Sequence, residues 1–531
     1  VSRQRQYGAL DEAPVLDGDR GFIGFEAALR GEELGPGLLA WAENNRCRRG
    51  VAESRLGVVK PAWGNKPLMV ESELGSAVRP WGRVYGCGVF RDPNGVEWIV
   101  VAAEGAVSRC RPNNVRTGVD LPTGVEVWSD VSFVQAFDEL YMLRGRWLAP
   151  LVMDDWDDGF EDLVEHWTAQ AYASGAEVSY GPSVVVSSVT RSGSVATATC
   201  ATDHGYVTGS DVEVSGADQT EYNGRVNVTV TGERTFTYKV SGTPVTPATG
   251  TIACSNNAYY WKANDVTLDT EVPGVSGKWD RCYTILPNCA DGVYIQGRLL
   301  APSWWDPTDG TYTANNYRLK RDYVVASKAM DGRHFDVSEF FRINQGGADE
   351  LECIVKVSDT DVACLKGRSV HLLRGLYGDL SELTRETLQQ GYGCVASRAA
   401  CLAGRDLMFV SSDRGVVSLK QSEEGKVQGV DVPLSASISE VVKRINWGHG
   451  DKVRMAYWDN RLWVAVPLDD ARIEGNNLMA RVQYLTAWTL IEGLVVGLTY
   501  EWTPGAKEDH LYSGTTHLTA AGSFVADAED I

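Results

Sequence analysis

Lys452–Gly493 reads KVRMAYWDNRLWVAVPLDDARIEGNNLMARVQYLTAWTLIEG, and its periodicity is that of four short β-strands in a row. Met455–Trp458 runs into the turn Asp459-Asn460-Arg461, and Leu462–Val466 follows until Pro467 and two aspartates end it. Leu478–Tyr484 reads as the third strand and Trp488–Ile491 as the fourth. An Asp/Asn turn between β-branched and aromatic runs is a strong hairpin signal. Four such strands form a small twisted sheet with an apolar face that it cannot bury alone. Radial stacking on further sheets of the same kind buries that face, which is the β-propeller solution.

The same pattern recurs upstream. Val84–Phe90 turns through Asp92-Pro93-Asn94-Gly95 into Glu97–Ala102 and on to Ala106–Cys110. Phe133–Phe137 turns at Asp138-Glu139 into Leu140–Leu143, and Arg144-Gly145-Arg146 leads to Trp147–Ala149. Further copies begin at Cys282–Leu286, Cys353–Val357 and Cys401–Ala403, the last running through Leu407–Val410 and Asp413-Arg414-Gly415 to Val416–Leu419. The spacing is irregular, so the repeat is divergent, and an array of ordinary β-sandwiches is the competing architecture. The expected fold is mainly β: a β-propeller with a small inserted Ig-like β-sandwich domain and a few short helices. The expected division is an opening segment over 1–80, first blades plus a short helix over 81–180, the inserted β domain over 181–256, and remaining blades with inter-blade helices over 257–531.

The insert is marked by Ser/Thr/Val alternation in short runs across Pro182–Cys254, with turns at Asn223-Gly224 and Thr231-Gly232. Helices are expected at Asp157–Tyr172, where Phe160, Leu163, Val164, Trp167 and Ala171 fall at helical spacing, at Leu380–Gln390, and at Ser435–Ile445. The opening segment carries Gly21–Phe25, Leu34–Arg46 and Gly50–Gly57 and reads as loops and strands with one or two helical turns after Gly35-Pro36-Gly37.

Composition restricts function. Of 531 residues 50 are basic and 70 acidic, a formal charge of −20, which argues against a protein that grips nucleic acid through its phosphates. It leaves open a channel through which DNA slides. No secretory leader is read at VSRQRQYGALDEAP, and no apolar run is long enough to span a membrane. The 11 cysteines are odd in number and contain no C-x-x-C pair, so zinc is not expected and buried reduced thiols are. Cys200 and Cys254 lie near the two ends of the insert, where a disulfide is conceivable.

Catalytic motifs are not found. The acidic run Asp154–Asp162 does not reproduce the register of a calcium loop, and carboxylates at a helix N-terminus explain it more simply. His334, His371 and His449 lie outside any ligand spacing and read as structural. There is no phosphate loop, dinucleotide fingerprint or nucleophile elbow. Ser411–Ser418 resembles the Asp-box of sialidase propellers, a hairpin that in that family stabilises the fold away from the catalytic centre. No catalytic, cofactor-binding or metal-ligating residue is assigned, no cofactor is expected, and the chain is read as a non-enzyme.

The pattern Leu34, Pro36, Gly37, Leu39, Ala42, Glu43, Asn44, Arg46, then Gly50–Gly57, resembles the start of bacteriophage tail nozzle proteins of the tail tubular B type. Met455–Asp470 with Asn476–Gly493, and the preceding Leu434–Asn446, are similar to a late propeller blade of that family, and Tyr222–Thr251 resembles small Ig-like inserts of phage virion proteins. Together these touch about a third of the chain. The resemblance implies a structural virion protein of the phage tail, assembled in the host cytoplasm. It implies a homo-hexamer below the portal and its adaptor ring, a conduit for genomic DNA ejection without sequence-specific binding, and tail fibres or spikes as neighbours. The insert and the acidic run are then candidate docking surfaces for fibres or adaptor. The alternative is a receptor- or carbohydrate-binding propeller, sialidase-like, of a tail spike or a free protein, which the 17 Trp and the Asp-box fit.

Overall fold

In the computed structural model the described residues run from 84 to 469, except 104, 111–116, 146–147, 155–158, 182, 257–258, 304–321, 346–348, 378–379, 421–432 and 459–460. Outside that range only the backbone of short strands is described, among them Gly24–Phe25, Asn45–Arg48, Gly475–Val482 and Trp488–Trp502. The chain divides into two compact units. One holds Val1–Val84, Pro112–Asn114 and Gly347–Ile531, and the other Tyr85–Arg111 and Val115–Gly346.

The architecture is mainly β and propeller-like, built from antiparallel meanders in which each strand pairs with the next. In the second unit the sheets over 84–119, 132–162 and 293–342 each have four strands in sequence order. The turn chemistry is visible in the first. Gly95 takes φ +77° and donates its N–H to the Asp92 carbonyl at 2.8 Å, while the Asp92 carboxylate accepts from the Val96 N–H at 2.8 Å and from Trp98 Nε1 at 3.2 Å. The positive φ is the conformation that glycine tolerates without a Cβ penalty. Consecutive sheets pack face to face. Val100, Ala102 and Val107 of the first sheet meet Leu140, Met142 and Leu151 of the second, whose other face (Tyr141, Leu143, Val152) meets Leu299, Ala301 and Val325 of the third. A sheet apolar on both faces has to lie between two others, and that alternation builds a stack of blades.

The first unit repeats the plan. Leu351–Lys356, Asp361–Lys366, Ser369–Arg374 and Thr384–Gln390 form a four-stranded meander, and Ala400–Ala403, Asp406–Ser411 and Gly415–Ser418 a three-stranded sheet. The hairpin read from Met455-Ala456-Tyr457-Trp458 is present, with Arg454–Trp458 paired to Arg461–Val466 in the register Tyr457↔Leu462. Its sheet has six strands, two more than expected, continuing through Gly475–Val482 and Trp488–Trp502 to His510–Leu518 and Phe524–Asp530. One core joins these sheets, with Phe409, Val416, Val441, Val464 and Leu468 fully enclosed.

Between the second-unit sheets sits the insert, seven strands from Val184 to Asn256. The strand Val184–Ser192 belongs to both of its halves. Val184 and Val185 pair with Cys254 and Ala253, and after an irregularity between Val186 and Ser188 the rest pairs with Val195–Cys200. The two halves enclose Val189, Ala198, Val212, Val214, Tyr222 and Phe236. The outward positions carry hydroxyls in register: Thr190 faces Thr197, Thr197 faces Thr237, and Thr237 faces Thr229.

Several elements differ from expectation. Asp157–Tyr172 is not a helix over its described part: Glu161–Asp162 pairs as the fourth strand of the 132–162 sheet, and residues 163–172 are irregular. The helical spacing of Phe160, Leu163 and Trp167 arises because each meets a different core. Phe160 packs in the first-to-second sheet core, Leu163 in the second-to-third sheet core, and Trp167 against the cluster of Tyr172, Val178, Ala263 and Trp279. Leu380–Gln390 is likewise a strand, Thr384–Gln390, after a single 3-10 turn at Leu380–Glu382, since the meander needed its outer strand. Ser435–Ile445 is helical only in two short pieces, Ala436–Ile438 and Ser439–Lys443. Cys282–Leu286 forms no strand; it contributes one bridge, Ile285 to His334. Of the strand expected at Trp147–Ala149, Trp147 lies outside the described residues and Leu148 and Ala149 are not in a strand, which forms at Leu151–Met153. The helical turns expected after Gly35-Pro36-Gly37 lie outside the described residues, apart from the strand Leu38–Leu39.

Candidate functional site

Three polar clusters stand out, and the largest joins the insert to its neighbouring blade. Arg144, at the end of Glu139–Leu143, has 1% of its side chain exposed, as does Asp211 of the insert. Arg144 Nη2 lies 2.7 Å from Asp211 Oδ2 but off the line of a hydrogen bond, so the contact is mainly coulombic; Arg144 Nε donates to the Ala149 carbonyl at 2.8 Å. Arg225, on the insert strand paired with Asp211, is 3.6 Å from the same carboxylate and donates from Nη2 to Asp162 Oδ1 at 2.9 Å. The joint therefore alternates charge, with Arg144, Asp211, Arg225 and Asp162 taken in turn from blade, insert, insert and blade.

His166 lies beside this chain with both ring nitrogens buried and without a hydrogen-bond partner. Burial first, then the Arg225 charge, push its imidazole down to about 4, against the opposing pull of Asp162 and Asp211. Around the joint the insert is also seated by Asn227, which donates from Nδ2 to the Glu126 carbonyl at 3.1 Å, and by Lys239, whose Nζ lies 3.1 Å from Glu126 Oε1 and 5.7 Å from the centre of the Trp128 ring. Gly124 takes φ +76°, and a Cβ there would run into the Arg225 carbonyl. The insert is clamped by buried charge and close backbone contact.

A second cluster lies on the 351–390 sheet. Lys366 is fully buried with Nζ 3.2 Å from Asp349 Oδ1, while Asp349 Oδ2 accepts from the Arg368 N–H at 3.1 Å and from Ser369 Oγ at 3.3 Å. His371, one of the histidines singled out from sequence, sits 2.9 Å from Ser369 Oγ through Nε2 and 3.0 Å from Thr387 Oγ1 through Nδ1. Burial and then the Lys366 charge hold its pKa down, so it is a neutral member of a closed network. Buried charges are tolerated where they are paired and bonded in this way.

The third cluster takes up the acidic run. Asp154 and Glu139 both accept from Arg333, at 2.7 Å and 2.9 Å, and Glu139 also accepts from the Tyr141 hydroxyl. Asp155–Asp158 lie outside the described residues. Two of the three described acids of the run are thus held by arginine partners, Asp154 by Arg333 and Asp162 by Arg225, while Glu161 is exposed on the strand Glu161–Asp162, and none sits at a helix N-terminus. A tyrosine beside a glutamate and an arginine is the group set that a sialidase-like reading looks for, yet Tyr141 is sealed from solvent beneath Gly332, and burial pushes its hydroxyl far above its usual pKa. This hydroxyl is a core hydrogen-bond donor. His334 pairs with Asp331 at 3.0 Å, and His449 falls in the 3-10 segment Trp447–Lys452.

The Ser411–Ser418 box is a hairpin between Asp406–Ser411 and Gly415–Ser418. Gly415 takes φ +77°, the Val416 N–H donates to Ser435 Oγ at 3.0 Å, and Ser418 Oγ donates to Asp406. Its aspartate, Asp413, accepts from Ser412 and stays at the surface. Among the described residues no group of three or more His, Cys, Asp or Glu is arranged to hold a metal ion, and no helix is long and apolar enough to cross a membrane. Sequence reading missed Arg144 and Lys366, because a buried charge is identified by its partner and neither Asp211 nor Asp349 is a near neighbour in sequence, and it missed His166, whose burial no local pattern marks.

No family model and no curated protein sequence matches the chain. Solved structures align at the level of the β architecture alone. The phage phi92 endosialidase is 12% identical with a TM-score of 0.19, covering 84% of this chain and 52% of its own, so this chain spans about half of that protein. YCF48 bound to D1 peptide is 9% identical over 88% of this chain and 97% of that one, with a TM-score of 0.28. Apo AztD from Citrobacter koseri is 10% identical over 83% and 89%, with a TM-score of 0.30.

Proposed function

We propose that this chain is a structural virion protein, a tail nozzle whose copies form a hexameric conduit for DNA ejection below the portal and adaptor of a short-tailed phage. The observation that carries the reading is internal to one compact unit. The opening segment and the late sheet hold separate parts of the nozzle-like pattern, and the strands Gly24–Phe25 and Asn45–Arg48 lie against Trp488–Trp502. Two stretches more than 400 residues apart thus belong to one structural feature. The formal charge of −20 agrees with a conduit, since a polyanion passes fastest along walls that do not neutralise its phosphates. A closed ring needs two different complementary faces per subunit. Native mass spectrometry of the purified full chain, with negative-stain class averages, tests the proposal. Six copies around an axial hole are expected. A monomer or trimer throughout the micromolar range overturns the autonomous ring, and specific retention on a glycan array then selects the carbohydrate-binding alternative.

A further inference from the structure

We propose that Cys200 and Cys254 are a thiol pair placed to close into a disulfide across the insert when the protein meets an organic disulfide oxidant such as oxidised glutathione. The two side chains come from opposite halves of the insert. Cys200 ends the strand Val195–Cys200 and Cys254 lies in Gly250–Asn256, and both strands flank Val184–Ser192 at the point where it passes from one half to the other. Their sulfurs are 3.9 Å apart in a core of Val, Ala, Tyr and Phe side chains. An S–S bond is ~2.05 Å long, so closure needs a movement of about 2 Å shared between two χ1 rotations and a slight approach of the sheets.

The surroundings favour one sulfur as the nucleophile. Cys254 Sγ is 3.5 Å from the Tyr206 hydroxyl, which donates to it; the hydrogen bond from Cys200, with a smaller one from Tyr206, lowers its pKa against the opposing effect of burial, while that of Cys200 is raised. At Cys289 and Cys364 burial instead pushes the thiol pKa up.

The chemistry balances as two exchanges. The Cys254 thiolate attacks one sulfur of oxidised glutathione, forming a mixed disulfide and releasing one glutathione thiolate. Cys200 gives its proton to the released glutathione thiolate, and its sulfur then attacks the Cys254 sulfur and displaces the second glutathione. The protein loses two protons and two electrons, and one glutathione disulfide becomes two thiols. Because 54 positions separate the cysteines, the bond would hold the two halves of the insert together through most of its length.

The test uses the full chain, equilibrated in glutathione buffers of rising oxidised fraction, in native buffer and in mild urea to admit the oxidant. Free thiols are alkylated and peptides mapped under non-reducing conditions. Expected is a Cys200–Cys254 linked peptide, two fewer alkylated thiols, and proteolysis inside 184–256 slowed by about a hundredfold or more, reversed by reductant. Cys200→Ala and Cys254→Ala should each abolish the redox dependence of proteolysis while the reduced proteins remain folded by circular dichroism. If both thiols stay fully alkylated at the most oxidising buffer, or if the linked peptide joins other cysteines, the proposal is overturned. A variant that fails to fold shifts the decision to the wild-type peptide map, which decides alone.

Discussion

Asp211→Asn tests the idea that buried charge clamps the insert to its blade. The Asp211 carboxylate is almost wholly enclosed, with Arg144 at 2.7 Å and Arg225 at 3.6 Å. By the inverse-distance law the nearer arginine interacts roughly a third more strongly. Arg225 keeps Asp162 as a second partner in the variant, whereas Arg144 keeps only its bond to the Ala149 carbonyl. Removing one member of a buried pair strands the other charge and costs about 3–5 kcal/mol. For a unit of this size each kcal/mol moves the midpoint by about 2–4 °C, so a fall on the order of 10 °C in the transition that includes the insert is expected. Urea denaturation followed by tryptophan fluorescence measures the loss, and Arg144→Met/Asp211→Leu is the control, because replacing both charges by apolar groups of similar volume is often neutral or stabilising. The reasoning fails if Asp211→Asn lies within about 0.5 kcal/mol of wild type, the scatter of ordinary surface changes.

Further outcomes concern His166 beside the joint and the Asp413–Gly415 turn of the other unit. His166 is held at about 4 in the folded protein against an ordinary value of 6.5, so the unfolded chain binds the proton first; the stability linked to this group is complete above pH 6.5 and lost as pH falls towards 4. The loss is on the order of 3 kcal/mol, and His166→Phe should flatten the pH dependence of the urea midpoint between those values. At Gly415, φ is +77° and an added Cβ would meet Ser435 Oγ and Val442, so Gly415→Ala should destabilise its unit by roughly 1–3 kcal/mol in thermal melts, while Asp413→Ala in the same hairpin stays within about 0.5 kcal/mol.

How much of this was legible in the sequence depends on the distance over which each signal acts. Hairpins are local: Asp92-Pro93-Asn94-Gly95, the Cys353–Val357 and Val362–Leu365 pair, and the Asp413–Gly415 turn each carry their turn residues and both strands within about 20 residues, and all three form. The insert was legible as well from its short alternating runs, although the turn expected at Thr231-Gly232 falls at Glu233-Arg234, with Gly232 ending the strand Thr229–Gly232. The Asp157–Tyr172 helix was misread because apolar residues at helical spacing imply a helix only if they share one face, and Phe160, Leu163 and Trp167 turn to different cores. Leu380–Gln390 failed for a related reason: an exposed outer strand such as Thr384–Gln390, with one buried position, Gln389, gives almost no period-2 pattern to read. The joint was illegible in principle. Asp211 and Arg144 are 67 positions apart, and nothing in either local sequence marks it as buried.

The register Val184↔Cys254 and Val185↔Ala253 sets the chain's way into the insert beside its way out. A segment whose two ends are neighbours is a cassette: it can be lost, gained or exchanged in evolution without moving the strands on either side. Arg144 and Asp162, which belong to the host blade, limit that freedom. An exchanged cassette would have to bring its own Asp211 and Arg225, so lineages that swap the insert should either keep all four positions or change them together.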